Sequence, residues 1–324
     1  MEKKVTLKDI AKKAGVSTST VSRVLNSSLP VNSETKNKII KIIEETGYHP
    51  DFTARSLRLG KSNTIGIIIP DISNPFFSML VKGADDYLKE KNFSTLICNS
   101  GNEKNDEKTL KFLIEKKPDA VIYAGIGNIK IFKNVGIPIV FTDRLEKDEN
   151  FSYVVSNNYQ GMTDMLEYLI KTKHKSYVFI SGNNNIFSAN ERLRAFKDFT
   201  STHNVISKII HSDYSFDSGI DVVNNLSEFP DVIVCSNDLT AYGVIHGLKL
   251  RNLNVPKNLS VTGYDDLLFS EMLNPSLTTV NQPVYNMGKA AAEIILNMIE
   301  KNNTSVRIFK NELIVRNSTK NSGG

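Results

Sequence analysis

The chain has 324 residues, 40% of them hydrophobic, with 40 lysines and arginines against 35 aspartates and glutamates and a formal net charge of +5. This length accommodates a small head and two lobes of about 100–150 residues, each able to bury a core. A membrane-spanning protein is excluded because no apolar run approaches the roughly 18 residues that a spanning helix needs, and the polar N-terminus predicts no signal peptide, so we expect a cytoplasmic protein.

The positive charge is concentrated at the N-terminus. Residues 1–61 contain 12 lysines and arginines against 6 acidic residues, whereas the remaining 263 residues contain 28 against 29. A basic segment beside a nearly neutral body is typical of a protein whose first domain neutralises nucleic-acid phosphates. The charge distribution therefore predicts one polyanion-binding region, in the first 61 residues.

Residues 6–26 predict two short helices joined by a turn. Gly15 can adopt the left-handed conformation that ends the first helix, and Ser17 can cap the second. Side chains expected to face the core recur at helical spacing: Ile10, Ala11 and Ala14, then Val16 in the turn, then Val21, Val24 and Leu25. The outward face of the second helix consists of Thr18, Ser19, Ser22 and Arg23. Short hydrogen-bonding groups with one arginine suit a helix that enters the DNA major groove.

A third helix completes the head. Asn32 can cap it, and it is expected to stop at Gly47. Its apolar side consists of Ile39, Ile40, Ile42 and Ile43. These patterns predict an all-α helix-turn-helix domain over residues 1–48, although a generic three-helix bundle with a solvated basic face fits the same residues.

Residues 49–61 form a predicted hinge helix and linker. The segment has helix-compatible residues for about two turns, and isolated helices of this length are marginal in water, so we expect it to order only against a partner. Leu57 has no obvious core of its own, and Arg55 and Arg58 lie beside it. An apolar wedge between base steps of the minor groove would have this composition, and a flexible linker is the alternative.

From residue 64 onward, apolar strand-like runs alternate with amphipathic helices. Strands are predicted at 64–70, 94–99, 120–124, 138–143, 177–182, 232–236 and 259–265, and helices at 76–91, 106–116, 159–172 and 190–201. The body, residues 62–324, is therefore predicted to be α/β, with two similar parallel-sheet lobes.

Polar residues follow several of these strands, where ligands of parallel α/β lobes bind. They are Asp71, Asp143, Asn237, Asp238, Asp265 and Asp266. Carboxylates and amides of this kind hold neutral sugars and polyols, and Phe76 and Phe77 follow the first strand, where an aromatic face could pack on a sugar ring. Each aspartate alone could equally be a helix cap or a loop residue, so the prediction depends on their recurrence in both lobes.

The remaining chemistry-bearing side chains argue against a metal site and against an enzyme. Cys98 and Cys235 are the only cysteines, and their apolar, strand-like surroundings indicate reduced core thiols rather than a disulfide. The five histidines are scattered without metal-ligand spacing, so no metal site and no cofactor is predicted. A nucleophile–base pair is not visible either.

In order and spacing, these residues resemble the LacI/GalR family of bacterial transcription regulators. The resemblance runs from Thr6 to about Asn317 and includes TLKDIAKKAGVSTSTVSRVLN, YHPDFTARSLR, IGIIIPDISNPFF, CSNDLTAYG, SVTGYDD and LTTVNQP. It implies two lobes of periplasmic-binding-protein type, the first at about 62–156 and 283–310 and the second at about 157–282 and 311–320. It also implies a homodimer, or a tetramer of dimers, on a palindromic operator, with a small molecule that closes the lobes.

The resemblance further implies roles for individual residues. Thr18, Ser19 and Arg23 would read base edges, and Leu57 would be the minor-groove wedge. Thr6, Ser17, Ser22 and Asn26 would mostly contact the DNA backbone. Together with Asp71, the effector-binding residues would be Phe76, Phe77, Asp143, Arg192, Asn237, Asp265 and Gln282. Arg192 would hold ligand oxygens through paired hydrogen bonds. Three residues depart from the family's usual Asn, Ser and Gly: Asp51, Asn32 and Ala195.

Three functions compete on this sequence. The first is an effector-gated DNA-binding repressor of a carbohydrate-use operon, and within it a catabolite-control regulator that answers to a phosphorylated partner protein is the alternative. The second is a sugar-binding transport module, which the basic head and the predicted lack of a signal peptide oppose. The third is a sugar-modifying enzyme, which would need a catalytic constellation that the sequence does not contain.

Overall fold

The computed structural model describes residues 5–26, 30–48, 60–101, 103–127, 129–132, 135–145, 151–183, 186–301 and 303–320. The chain divides into two compact units, Met1–Ser62 and Asn63–Gly324. We call the described residues of the first unit the head and those of the second unit the body. Most of the predicted hinge, residues 49–59, lies outside the described residues.

The described part of the head contains the helices α1 (Leu7–Ala14), α2 (Thr18–Asn26) and α3 (Ser33–Thr46). Gly15 ends α1 with a φ of 71°, and Gly47 ends α3 with a φ of 58°, the left-handed conformation predicted for Gly15. The buried core consists of Ile10, Ala11, Ala14, Val21, Ile39 and Tyr48. Ile40, a predicted core position, is 38% exposed, and five other predicted core residues are half-buried and pack against this core: Val16, Val24, Leu25, Ile42 and Ile43.

The first lobe of the body has a six-stranded sheet in the order β11-β5-β4-β3-β1-β2, in which all neighbouring strands are parallel. Its strands are β1 (Thr64–Ile69), β2 (Ser94–Asn99), β3 (Ala120–Tyr123), β4 (Ile139–Thr142), β5 (Ser152–Ser156) and β11 (Val306–Phe309). Its helices are α4 (Pro75–Glu90), α5 (Glu103–Glu115), a short 3-10 helix (Ile129–Phe132) and α11 (Val284–Lys301). Strands β3 and β4 are buried throughout, as their continuous apolar runs predict.

The second lobe has a four-stranded parallel sheet in the order β7-β6-β8-β9 and a two-stranded antiparallel sheet. The four strands are β6 (Ser176–Ser181), β7 (Ile206–His211), β8 (Val232–Cys235) and β9 (Ser260–Thr262), and the pair consists of β10 (Thr279–Asn281) and β12 (Glu312–Ile314). The helices are α6 (Asn158–Lys171), α7 (Phe187–Thr202), α8 (Phe216–Asn225), α9 (Asp238–Leu250) and α10 (Phe269–Met272).

The chain crosses between the lobes at three segments of the described body. The first crossing joins β5 to α6 at 156–158, the second joins β10 to α11 at 281–284, and the third joins β11 to β12 at 309–312. Each lobe is therefore assembled from segments distant in sequence, and any change in the angle between the lobes has to be accommodated at these crossings.

Three predicted element boundaries differ from the structure by three residues: the end of β9 and the starts of α5 and α7. Strand β9 ends at Thr262 rather than at 265, and Asp265 and Asp266 have φ values of 115° and 55°, which lie outside the strand conformation. Helix α7 begins at Phe187, before the predicted start at 190, and its first turn has no side-chain cap that could have signalled the start in the sequence.

The two cysteines are free and buried in the body, Cys98 in β2 and Cys235 in β8. Burial raises the pKa of both thiols. Within the described ranges, every helix is too short or too polar to cross a membrane.

Candidate functional site

A cavity of about 380 Å³ lies between the two lobes, at the carboxyl ends of both parallel sheets. The structure brings seven of the eight predicted effector residues to its wall: Asp71, Phe76, Phe77, Asp143, Arg192, Asn237 and Asp265. The eighth, Gln282, lies behind the wall and donates from Nε2 to the Asp265 carboxylate at 2.7 Å. The predicted set is therefore gathered at one place, while the role of its members as ligand contacts remains a prediction.

The loop after β1 and the first turn of α4 contribute two polar and two aromatic residues. Asn74 caps α4 by accepting from the backbone N–H of Phe76 at 3.0 Å, and the rings of Phe76 and Phe77 meet edge to face with centroids 5.1 Å apart. Phe76 belongs to the core, whereas Phe77 is half-buried. The Asp71 carboxylate accepts from the backbone and hydroxyl of Ser73 at 2.9 and 2.7 Å. Asp71 is thus engaged within its own turn, which is the loop role that the sequence left open.

Strand β4 is followed by an acidic and a basic residue at the cavity, Asp143 and Arg144. Asp143 has a φ of 56° and accepts, at 2.9 Å, a hydrogen bond from Ser188 of the opposite lobe. Its other carboxylate oxygen, Oδ1, is buried without a hydrogen-bond partner among the described residues. Burial raises the pKa of Asp143, and the positive charge of Arg192 opposes that rise. Arg144 donates to the carbonyls of Gly125 and Gly127, which orders the loop after β3.

Arg192 is 3% exposed and is held on four sides. Its Nε donates to Asn158 Oδ1 at 2.8 Å, and its Nη1 donates to the Ser236 carbonyl. Its Nη2 lies 3.8 Å from Asp265 Oδ1, and the guanidinium lies 3.9 Å from the centre of the Tyr264 ring. Burial acts to lower the pKa of Arg192, because it disfavours the charged guanidinium. The negative charge of Asp265, together with further groups, outweighs burial, and the pKa of Arg192 is raised. The guanidinium therefore remains charged in a fixed orientation at the cavity wall.

Asp265 and Asn237 occupy neighbouring strand ends in the second lobe. Asn237 caps α9 by accepting from the Thr240 N–H at 3.0 Å, and its Nδ2 donates to the Tyr214 carbonyl at 3.0 Å. Burial raises the pKa of Asp265 well above its ordinary range, against the opposing charge of Arg192. Asn237 thus serves as a helix cap and as part of the cavity wall at once.

Sequence reasoning missed several wall residues, including Arg144, Ser188 and Tyr214. Arg144 directly follows Asp143 at a strand end, so the strand-end rule could have found it. Ser188 was missed because α7 was predicted to begin after it. Tyr214 lies in a loop with a φ of 70°, and its buried hydroxyl lies beside Ser236 without forming a hydrogen bond of normal geometry. It follows the carboxyl end of β7 by three residues, and it was missed because that strand was not predicted.

The head carries the predicted DNA-facing residues. Thr18, Ser19 and Arg23 are exposed on α2, and Ser22 is half-buried. Two predicted backbone-contacting residues have local roles as well: Thr6 forms a capping box with Asp9, and Ser17 accepts from the Thr20 N–H at 3.2 Å. The side chain of Asn26 and the whole of Arg55, Leu57 and Arg58 lie outside the described residues.

Two protein-family models match the chain. Residues 6–51 match the bacterial regulatory proteins of the lacI family, and residues 62–317 match the periplasmic binding proteins and sugar binding domain of the LacI family. The first match contains the head helices, and the second contains both lobes and the cavity between them.

Individual relatives agree with this assignment along nearly the whole chain. Catabolite control protein A of Priestia megaterium is 33% identical to this chain, and the match covers 98% of this chain and 99% of that protein. The ribose operon repressor of Halalkalibacterium halodurans is 32% identical, and the match covers 97% of this chain and 97% of that protein. A crystal structure of the lac repressor dimer bound to operator and the anti-inducer ONPF has the same fold, with a TM-score of 0.89 and 22% identity over 98% of this chain and 100% of that one. The chain therefore belongs to the LacI family of bacterial regulatory proteins, and it is an effector-gated, DNA-binding transcriptional regulator rather than an enzyme.

Proposed function

We propose that this chain represses a carbohydrate-use operon in the cytoplasm by binding a palindromic operator as a homodimer, alone or within a tetramer. A small neutral sugar or sugar derivative controls this binding from the cavity between the lobes, which we call the cleft. The observation that carries the proposal is the charge of the cleft, whose wall has four aspartates, Asp71, Asp143, Asp213 and Asp265, against two arginines, Arg144 and Arg192. A wall with no excess of positive charge favours a neutral ligand over a phosphorylated one, because burying an unpaired phosphate costs free energy.

The unpaired oxygen of Asp143 supports a hydroxylated ligand. Asp143 Oδ1 is buried without a partner among the described residues, and a buried acceptor in that state costs about 1–3 kcal/mol. A sugar hydroxyl would donate the missing hydrogen bond, while the Phe77 ring offers an apolar face to the sugar carbons. The similarity to a ribose operon repressor makes D-ribose the first candidate.

The similarity to a catabolite control protein favours a second candidate, a regulator that answers to a phosphorylated partner protein. The two candidates differ in where the signal binds. A free sugar enters the cleft and contacts Arg192, whereas a partner protein would bind outside the cleft and would be insensitive to changes at Arg192.

For the DNA interface, we propose that the helix-turn-helix domain covers residues 1–48 and the hinge helix residues 49–61. Thr18, Ser19 and Arg23 read base edges, and Leu57 wedges into the minor groove between Arg55 and Arg58. The residues proposed to contact the DNA backbone are Thr6, Ser17, Ser22 and Asn26. Leu57→Ala should weaken operator binding, while lobe stability and ligand affinity stay unchanged. Unfolding of this variant, or operator binding equal to that of the unsubstituted chain, would contradict the wedge role.

A thermal-shift screen tests the ligand class directly. D-ribose, other neutral pentoses and hexoses, their phosphates and nucleobases are each added to the full chain. A ligand at 100 times its dissociation constant stabilises the folded state by about 2.7 kcal/mol. A shift with a neutral sugar that Arg192→Ala abolishes supports the proposal. Shifts confined to phosphorylated compounds, or a response that requires a phosphorylated protein, would overturn it.

A further inference from the structure

Five side chains form a closed ring of polar contacts where the first two lobe crossings meet the cavity. Arg192 Nε donates to Asn158 Oδ1 at 2.8 Å, and Asn158 Nδ2 donates to Ser156 Oγ at 3.2 Å. Ser156 Oγ donates to Gln282 Oε1, and Gln282 Nε2 donates to Asp265 Oδ1 at 2.7 Å. The ring closes because Asp265 Oδ1 lies 3.8 Å from Arg192 Nη2.

The ring is almost completely removed from water. Its most exposed member, Asp265, is 7% exposed, and the other four are at or below 3%. Both amides use their oxygen as an acceptor and their nitrogen as a donor within the ring. In a dry interior, loss of one such contact leaves its neighbours unsatisfied, so the members of the network depend on one another.

The ring joins the ligand cavity to the crossings between the lobes. Arg192 and Asp265 line the cavity, while Ser156 and Asn158 lie in the first crossing and Gln282 in the second. The third crossing is attached through Tyr264, whose hydroxyl donates to the Asn158 carbonyl at 3.2 Å and accepts from Asn311 Nδ2 at 2.8 Å. All three crossings are therefore tied to the arginine–aspartate pair at the cavity wall.

We infer that this ring couples ligand binding to the angle between the lobes, and that Ser156 and Asn158 are positioning residues, which act through Arg192 and Gln282 without touching the ligand. The inference rests on the proposed function, in which a ligand contacts Arg192 and Asp265. A ligand that bonds to this pair changes the contacts that the pair makes to Asn158 and Gln282. Those two residues carry the change into two crossings at once, where the lobes rotate against each other.

The test removes the link between the first two crossings without removing a cavity residue. Ser156→Ala deletes the hydroxyl that joins Asn158 to Gln282, and Ser156→Thr restores a hydroxyl. Ser152→Ala is the matched control, because Ser152 is buried in the same strand but bonds to Met298 and to the Ser305 N–H instead. Operator binding by each full-length variant is measured with and without saturating D-ribose, on a duplex selected from random DNA, and D-ribose affinity is measured by calorimetry.

In the unsubstituted chain and in Ser152→Ala, D-ribose should change the operator constant by about tenfold or more, within the usual range for coupled sites. In Ser156→Ala that change should fall to about twofold or less, although D-ribose affinity stays within about threefold. Ser156→Thr should recover most of the response. Full coupling in Ser156→Ala would overturn the inference, and so would loss of D-ribose affinity with coupling intact.

A second readout works without any ligand and separates failure of the ring from failure of the proposed ligand. If D-ribose has no effect on the unsubstituted chain, the proposed ligand is wrong. Hydrogen exchange of the ligand-free variants then tests whether the ring connects the crossings. Ser156→Ala should speed amide exchange about tenfold around Gln282 and Asn311 as well as around residue 156, since these segments open together. Faster exchange confined to β5, or an equal effect of Ser152→Ala, would show that the ring does not connect the crossings.

Discussion

The outward face of α2 and the walls of the cleft present their polar groups in opposite ways. Thr18, Ser19 and Arg23 are exposed to water, whereas Arg192 and Asp265 are buried and bonded to neighbours. Water satisfies an exposed polar group in the free protein, so such a group can serve DNA binding without a role in the fold. A buried polar group must be satisfied in the folded state, so it supports the fold as well as the ligand. Substitutions in the cleft should therefore alter stability and binding together, and substitutions on α2 should alter binding only.

The largest effect is expected for Arg192→Ala. Removal of one partner of a buried ion pair costs about 3–5 kcal/mol, because Asp265 and Asn158 lose their partner. The measurement is the free energy of unfolding of the body in urea, combined with ligand titration. Arg194→Ala is the control, since Arg194 lies on the same helix in an exposed pair with Glu191 and should change stability by less than about 1 kcal/mol. Similar losses in the two variants would remove the distinction between buried and exposed groups.

A pH titration sharpens the comparison through Asp238, a buried carboxylate of the body. It accepts from the Leu267 N–H at 2.8 Å and from the Thr279 hydroxyl at 2.6 Å, but burial outweighs these bonds and raises its pKa from 3.8 to about 6. The folded state then holds a proton that the unfolded state has released, so this residue makes the free energy of unfolding fall as pH rises from about 4 to 6. The fall should be on the order of 2–3 kcal/mol.

Asp238→Asn should flatten that slope, which urea unfolding at several pH values would measure. Asp231→Asn is the control, because the contribution of Asp231 to stability changes with pH in the opposite direction. Burial raises the pKa of Asp231, but hydrogen bonds from the backbone of Lys175 and Ser176 outweigh it and lower the pKa. Asp231 therefore contributes stability above its ordinary pKa that is lost as pH falls. An unchanged slope in Asp238→Asn would mean that another group titrates between pH 4 and 6.

Arg23→Ala tests the exposed side of the comparison. If Arg23 reads a base edge, Arg23→Ala should cost about 1–3 kcal/mol of operator-binding free energy and relax base preference at one position in each half-site. The free energy of unfolding should change by less than about 0.5 kcal/mol. Binding is measured against the operator and its single-base variants. Arg23→Lys keeps the charge but loses the paired donors, so it should restore affinity more than base preference. A uniform loss on every DNA variant would assign Arg23 to the phosphate backbone.

The smallest expected effect compares two asparagines with the same local role. Asn32 caps α3 by accepting from the Glu34 N–H at 2.9 Å, and Asn237 caps α9 in the same manner. Either alanine substitution should cost about 1 kcal/mol in its own unit, measured by thermal unfolding. Only Asn237→Ala should also weaken ligand binding, because only Asn237 lines the cavity. Equal ligand affinity in the two variants would exclude Asn237 from the binding site.

Much of the fold follows from local patterns that the sequence displays. The helix ends at Gly15 and Gly47 and the buried strands β3 and β4 were predicted because each depends on a few adjacent residues. The strand-end rule also collected six cavity residues, since parallel strands deliver their carboxyl ends to one edge, whereas Arg192 was predicted only from the family resemblance. It missed Tyr214 because the strand that precedes this residue, β7, was not predicted from the sequence.

The sequence by itself determined the helix-turn-helix head, the two α/β lobes and several of the polar groups at the cleft, because local propensity, periodicity and charge depend on adjacent residues. Only the tertiary structure decided which of those groups are paired. Ser156 and Gln282 are 126 residues apart, and Arg192 and Asn158 are 34 apart, yet they belong to one ring. Such pairing depends on how the sheets and crossings pack, and burial then converts ordinary polar residues into a coupled network.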